Sequence, residues 1–209
     1  MRRLASFLMV TLDGYFEGEQ PWEIDWHNVD DEFDEFSVKQ LDASDCLIFG
    51  RATYIGMSQY WPSEAAVKDN PAVASRMNRM PKIVVSRTLE PDEPKWSNTR
   101  VLRDARKLAP LKKEAGKDLL VLGSSVLTTS LMEDGLLDEL RIMLDPILLG
   151  KGNSLASSAG RRIRLKLLET REFRNGNILL TYEPETVGTL NLATERLMAR
   201  ARRPPDRRR

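Results

Sequence analysis

Cys46-Leu47-Ile48-Phe49 runs directly into Gly50-Arg51-Ala52-Thr53-Tyr54. A short apolar run ends in a glycine, and an arginine and a threonine follow where a helix would begin. That is the layout of a buried strand delivering a helix N-terminus, whose free backbone N–H groups and positive dipole end favour an anion. The layout recurs where Leu119-Leu120-Val121-Leu122 leads into Gly123-Ser124-Ser125-Val126. Two strand-to-helix anion turns in one small chain suggest a phosphorylated ligand with two ends to hold.

Around these turns the pattern alternates between strand and helix, as in an α/β domain. Ser6 to Val10 reads as the first strand. Asn28-Val29-Asp30-Asp31-Glu32 reads as a helix start, with a capping side chain, acids in the first turn, and Val29, Phe33, Phe36 and Leu41 recurring near helical spacing. Tyr54, Met57 and Trp61 line one face of the next helix, and Asn70-Pro71 is a cap followed by an N1 proline. Residues 82–87 form another buried strand, followed by a proline-rich connection from Pro91 to Asn98. Asp104 to Lys113 reads as a helix stopped by Gly116 and kinked or divided at Pro110. A further helix ends near Gly135.

Then the period shortens. Leu140, Ile142 and Leu144 alternate with Glu139, Arg141 and Met143, and Ile163, Leu165 and Leu167 with Arg162, Arg164 and Lys166. Both segments read as half-buried strands with one wet face. Asn175-Gly176 before Ile178–Tyr182 signals a type I′ hairpin. The sheet should therefore begin parallel and finish with an antiparallel hairpin at one edge. One domain is expected over residues 1–184. Residues 185–209 read as a basic, disordered tail, since Arg196 to Arg209 holds seven arginines against Asp206 alone.

The chain has 209 residues, 41% of them apolar, enough for one core, and its net charge of +1 gives no overall pull toward nucleic acid or membrane. One cysteine, Cys46, excludes an intrachain disulfide and suits a reducing, cytoplasmic setting. One histidine, His27, leaves no CxxC or HxxxH zinc spacing, and any His-dependent hydrolase would have to use it. Met1-Arg2-Arg3 before Leu4–Val10 mimics a signal peptide but is too short, and no run spans a membrane.

Six pieces, in this order and spacing, resemble the dihydrofolate reductase fold: Thr11-Leu12-Asp13-Gly14-Tyr15; Leu47 to Tyr54 with Trp61-Pro62; Lys82 to Arg87; Asp118 to Ser125; Leu137-Asp138-Glu139-Leu140; and Pro146 to Gly152. More closely they resemble the reductase domain of the riboflavin-biosynthesis bifunctional deaminase-reductase family, in stand-alone form. No deaminase zinc motif occurs. The resemblance implies a three-layer α/β/α fold with a mixed, mostly parallel central sheet. It also implies an NADPH-dependent reductase of a planar heterocycle, reducing 5-amino-6-(5-phosphoribosylamino)uracil or a pterin, and a homodimer. Gly50, Arg51 and Thr53 would meet the pyrophosphate and adenosine phosphate, with Gly123, Ser124, Ser125 and Val126 approaching from the opposite side. Ser86 and Arg87 would meet the ribose 2′-phosphate, and Asp13 and Gly14 would lie beside the nicotinamide. Family members often carry two or three glycines where this chain has Gly123-Ser124-Ser125.

The residues agree with these roles: glycine permits close backbone approach, and arginine's planar fork suits a phosphate dianion. Hydride transfer needs orientation and one proton, which fits a chain so poor in nucleophiles. Substrate recognition is expected in Pro21-Trp22-Glu23-Ile24-Asp25-Trp26-His27, with Trp22, Asp25, Trp26 and His27 as contacts. Tyr54 reads as core or as a further contact. Asp13, Asp31 and Glu32 are the candidate acids, although acids are ordinary at a helix N-terminus. A non-catalytic nucleotide- or flavin-binding member of the same fold is the alternative; a role for the arginine tail in polyanion binding is the minor one.

Overall fold

Every residue of the strand Leu4–Thr11 is buried, because it runs through the middle of a sheet covered on both faces. Its side chains alternate between two cores. Ala5, Phe7 and Met9 join one, and Leu4, Leu8 and Val10 the other, while Ser6 Oγ lies 2.7 Å from Thr128 Oγ1 in place of an apolar contact.

The computed structural model describes residues 1–90, 92 and 95–185; the arginine-rich tail from 186 onward lies outside the described residues. The strands are β1 (Leu4–Thr11), β2 (Tyr15–Glu17), β3 (Ser44–Gly50), β4 (Lys82–Val85), β5 (Thr99–Leu102), β6 (Asp118–Leu122), β7 (Glu139–Asp145), β8 (Asn153–Ser154), β9 (Leu165–Glu172) and β10 (Ile178–Pro184). The helices are α1 (Asp31–Asp42), α2 (Arg51–Tyr60), α3 (Glu64–Asp69), α4 (Pro71–Arg79), α5 (Leu108–Leu111) and α6 (Ser125–Glu133). The main sheet has the order β5-β4-β3-β6-β1-β7-β10-β9, and β2 pairs with β8 separately. Pairing is parallel from β5 to β7, and antiparallel where β10 meets β7 and β9.

Helices α1, α2 and α4 cover one face through Phe36, Leu41, Tyr54, Val73 and Met77. Helices α5 and α6 cover the other through Leu108, Leu127 and Leu131. This is the three-layer architecture, and no helix of the described residues is long and apolar enough to cross a membrane. An aromatic cluster beneath α1 sets Phe36 5.5 Å from Phe7 and edge-on to Phe173 at 5.7 Å. Each such pair adds about 1 kcal/mol beyond its buried area.

Side chains cap three helices, at Asn70 as the sequence suggests and also at Asp30 and Ser63, so that α1 begins two residues after Val29. Asp30 accepts from Phe33 N at 2.9 Å, Ser63 from Ala66 N at 3.2 Å, and Asn70 from Val73 N at 3.2 Å. Helices α2 and α6 differ: their N-caps, Gly50 and Ser124, make no side-chain capping bond.

Three sequence expectations are corrected, while the division at Pro110 is as expected. Pro110 divides the 104–113 segment into a 3-10 turn at Ala105–Lys107 and the four-residue α5, since proline lacks the N–H a longer helix needs. The hairpin has positive φ at Gly176 (93°), and Asn175 is not left-handed, so the turn is type I with a left-handed glycine rather than type I′. Asn175 is drawn out of the I′ geometry by its side chain, which donates to Asn28 O at 2.9 Å. The supposedly wet phase of β7 is covered: Glu139 pairs with Arg141 at 2.6 Å and Arg3 at 2.8 Å, and Met143 and Asp145 are wholly buried. Conversely β9 is wet on both faces, leaving Leu165, Leu167 and Leu168 exposed, because it is the outermost strand and pairs with β10 alone.

Candidate active site

The strands β3, β4 and β6 end together, and beyond their carboxyl ends lies an open cleft of about 1210 Å³. Open α/β sheets hold ligands in this position. One wall is the start of α2, with Gly50, Arg51, Ala52 and Thr53; the facing wall is the start of α6, with Gly123, Ser124, Ser125 and Val126. Because neither helix is capped by a side chain, their first-turn N–H groups and positive dipole ends face the same space.

The two turns touch. Gly50 N donates to Ser124 Oγ at 2.6 Å, and Ser124 Oγ donates to Thr53 Oγ1 at 2.9 Å. Gly123 and Ser124 are both left-handed at φ 59°. A Cβ on Gly50 would stand 3.0 Å from Ser124 Oγ, and one on Gly123 3.0 Å from Thr53 Cγ2, so both glycines permit the approach.

At one end the cleft is lined by Ser86, Arg87, Thr88, Arg103 and Arg106. Arg103 donates to Leu89 O at 2.6 Å and Glu90 at 3.2 Å, and Arg106 pairs with Asp104 at 3.0 Å. Arg51 and Arg87 are exposed and have no ion-pair partner among the described residues, which leaves their guanidinium groups available to an anion. The Ser86 hydroxyl accepts the N–H groups of Thr88 and Leu89, at 3.2 and 3.0 Å, and so shapes the turn that carries Arg87.

Towards β1 the cleft is lined by Leu8 and Met9 and by Phe16, Trp22, Ile24, His27 and Met57. Trp22 has φ 67°, and its indole lies so close over Gly56 of α2 that a Cβ there would collide with it. Glu17 holds this loop by accepting from Trp22 N at 3.1 Å and Asn153 Nδ2 at 2.9 Å. His27 stacks edge-on to Trp26 at 4.5 Å. Burial pushes its imidazole down to about 4, so it is neutral near pH 7, and its Nε2 has no partner.

The structure thus brings together Gly50, Arg51, Thr53, Ser86, Arg87, Gly123, Ser124, Ser125, Val126, Trp22 and His27. The remaining candidates do not line the cleft. Asp13 ties down the segment after β7, accepting from Leu149 N at 3.1 Å and Gly150 N at 2.7 Å, and the Thr11 hydroxyl first among its bonds holds its carboxyl below the usual range. Gly14, with φ 91°, only turns the chain beside it. Glu32 is gripped by the hairpin. It accepts from Arg174 N at 3.0 Å and Arg171 Nη2 at 2.8 Å, which hold it down at about 2, so it has no proton to give near neutrality. Asp25 and Asp31 are exposed. Trp26 packs against the core and donates to Glu23 O at 3.1 Å. Tyr54 is core: it is buried between Phe49 and Trp96, and its hydroxyl accepts from Trp96 N at 3.3 Å.

Sequence reading missed Asp145. It is wholly buried at the end of β7, in register with Thr11, and accepts Asn28 N at Oδ1 (2.9 Å) while Oδ2 has no partner. Burial pushes its carboxyl up to about 6. Asn28 is the buckle of this region: its Nδ2 donates to Asn175 O at 2.8 Å and its carbonyl accepts from Asn177 Nδ2 at 2.8 Å. The one available signal was an acid closing the apolar run Ile142-Met143-Leu144 before Pro146. Met57, Arg103 and Arg106 were also missed as lining residues, and helical or charge patterning alone does not mark them.

Residues 2–179 match the family model of the RibD C-terminal domain. The uncharacterized protein YyaP of Bacillus subtilis is 32% identical over 185 residues, covering 87% of this chain and 94% of the relative. Solved structures that share the fold include these two. One is a diaminohydroxyphosphoribosylaminopyrimidine deaminase/5-amino-6-(5-phosphoribosylamino)uracil reductase from Thermotoga maritima, at TM-score 0.62 and 14% identity, covering 88% of this chain and 57% of that one. The other is dihydrofolate reductase from Enterococcus faecalis complexed with NADP(H), at TM-score 0.57 and 16% identity, covering 88% and 97%.

Proposed function

The chain belongs to the RibD C-terminal domain family, and from that premise we propose that it is an NADPH-dependent reductase of a planar heterocycle, of the kind that reduces phosphoribosylamino-pyrimidines. The observation that carries this reading is the pair of facing helix starts without side-chain caps, in a fold whose α1, α3 and α4 are all capped by their own side chains. A pyrophosphate bridging α2 and α6 supplies the acceptors those N–H groups lack. Arg87, with Arg51 beside the same cleft, takes the 2′-phosphate, which favours NADPH over NADH.

When bound, NADPH supplies the hydride. The protein orients and excludes water. Leu8 and Met9 form an apolar floor for the nicotinamide, and Trp22, Ile24 and Met57 flatten a planar substrate against it. The neutral His27 offers its unpartnered Nε2 to a ring N–H or carbonyl of the heterocycle. The exposed leucines of β9 make this edge the proposed homodimer contact, which sedimentation of the purified protein would test.

One observation favours a second reading. Asp13, Asp31 and Glu32 all lie away from the cleft, so no carboxylic acid of the expected set reaches a substrate, as in a nucleotide- or flavin-binding member without turnover. The deciding experiment follows NADPH absorbance with pterins, pyrimidines and 5-amino-6-(5-phosphoribosylamino)uracil in turn. Oxidation with one of them supports the reductase; binding of NADPH without oxidation by any supports the binding protein.

A further inference from the structure

We infer that Ser124 is a positioning residue that turns the Thr53 hydroxyl proton toward the bound phosphate; the inference rests on the dinucleotide reading of the cleft. A contact between two hydroxyls has two possible polarities, and here Ser124 is the donor and Thr53 the acceptor. The Gly50 N–H can only donate, so Ser124 Oγ is an acceptor at 2.6 Å. Its own proton then goes to Thr53 Oγ1, 2.9 Å away. With one lone pair engaged, Thr53 keeps its proton for something else, and Thr53 lines the cleft in the first turn of α2. The reverse polarity would direct the Thr53 proton to Ser124 and present lone pairs to an anion. A chain running from Gly50 N–H through Ser124 to Thr53 polarises in one direction, and each donor strengthens the next.

The backbone supports the same reading. Ser124 sits at φ 59°, ψ 65°, a left-handed conformation that glycine adopts without strain and other residues adopt at a cost of about 1 kcal/mol or more. Its side chain is not the cap of α6, which has none. What it does is join the two phosphate-facing turns and use up the one N–H, that of Gly50, that lies behind Thr53.

The test is calorimetric titration of NADPH into the parent protein, Ser124→Ala, Ser124→Gly, Thr53→Ala and the double variant Ser124→Ala/Thr53→Ala, with a thermal melt of each. Both Ser124 variants should bind NADPH about tenfold more weakly, the worth of one hydrogen bond to a charged group. In the Thr53→Ala background the Ser124 change should cost less than about twofold, since the proton it orients is gone. Ser124→Gly relieves the left-handed strain and should melt no lower than the parent, which separates weaker binding from misfolding. Parent-like affinity in both Ser124 variants, or an equal loss in both backgrounds, overturns the inference while leaving the dinucleotide reading intact. A parent protein that binds no NADPH overturns both.

Discussion

Replacing Asp145 by Asn should remove a pH dependence from this protein's stability, so that the variant gains on the parent as pH rises from about 4 to neutrality. The carboxyl is fully buried, has a backbone donor on Oδ1 alone, and is pushed up to about 6 from 3.8. Since the folded pKa lies above the unfolded one, the folded state keeps a proton between about pH 4 and pH 6 that the unfolded chain releases. Stability from this group is therefore full in acid, falls as pH rises through that window, and stays low above it. A gap of about two units corresponds to about 3 kcal/mol. Asparagine keeps an oxygen for Asn28 N–H but carries two donors without a partner where the protonated acid carries one, so near pH 4 the variant should be the less stable of the two by about 1–3 kcal/mol. Urea melts extrapolated to water should show Asp145→Asn gaining up to about 3 kcal/mol on the parent between about pH 4 and pH 7.5, or about 6–12 °C in Tm. His27 contributes the opposite slope, losing stability as pH falls from 6.5 to about 4, but it is present in both proteins and cancels in the difference. A difference that does not change with pH, or that moves against the variant as pH rises, would refute the reasoning.

Arg87→Ala should weaken NADPH at least about tenfold more than NADH, because the side chain answers a phosphate only the former carries; equal losses in fluorescence titrations would remove the 2′-phosphate assignment. Gly56→Ala places a Cβ inside the Trp22 indole and should destabilise by about 1–3 kcal/mol while releasing the loop over residues 18–24. Hydrogen exchange there should quicken, and unchanged protection would mean that Trp22 is not held by α2. The single histidine should show one imidazole proton resonance that does not titrate between about pH 8 and pH 5, given its low pKa. A midpoint near 6.5 would show His27 hydrated rather than buried.

The phosphate turns were legible because everything they need is contiguous: β3 into Gly50-Arg51-Ala52-Thr53, β6 into Gly123-Ser124-Ser125. The cap at Asn70 and the division at Pro110 were readable for the same reason. The acids were not. Asp30, Asp31 and Glu32 look alike in sequence, and only Arg171 and Arg174, some 140 positions away and delivered by the edge hairpin, single out Glu32 as an ion-pair partner. Asp145 drew no reading from the sequence, because the groups that close over it, Asn28 and Asn177, come from distant parts of the chain. Tyr54 belongs to the same helix as Arg51 and Thr53, but the rotation of α2 puts it on the core side, against Phe49 and Trp96. The hairpin turn type likewise depended on Asn175 reaching Asn28 rather than on the Asn-Gly pair itself.

The central claim is that a dinucleotide spans the two uncapped helix starts. Diffraction from crystals soaked in NADPH tests it most directly. The account requires the pyrophosphate between the first-turn N–H groups of α2 and α6, with the 2′-phosphate within hydrogen-bonding reach of Arg87 and the nicotinamide over Leu8 and Met9. Ordered NADPH anywhere else on the protein, or an empty cleft at millimolar NADPH, would contradict it.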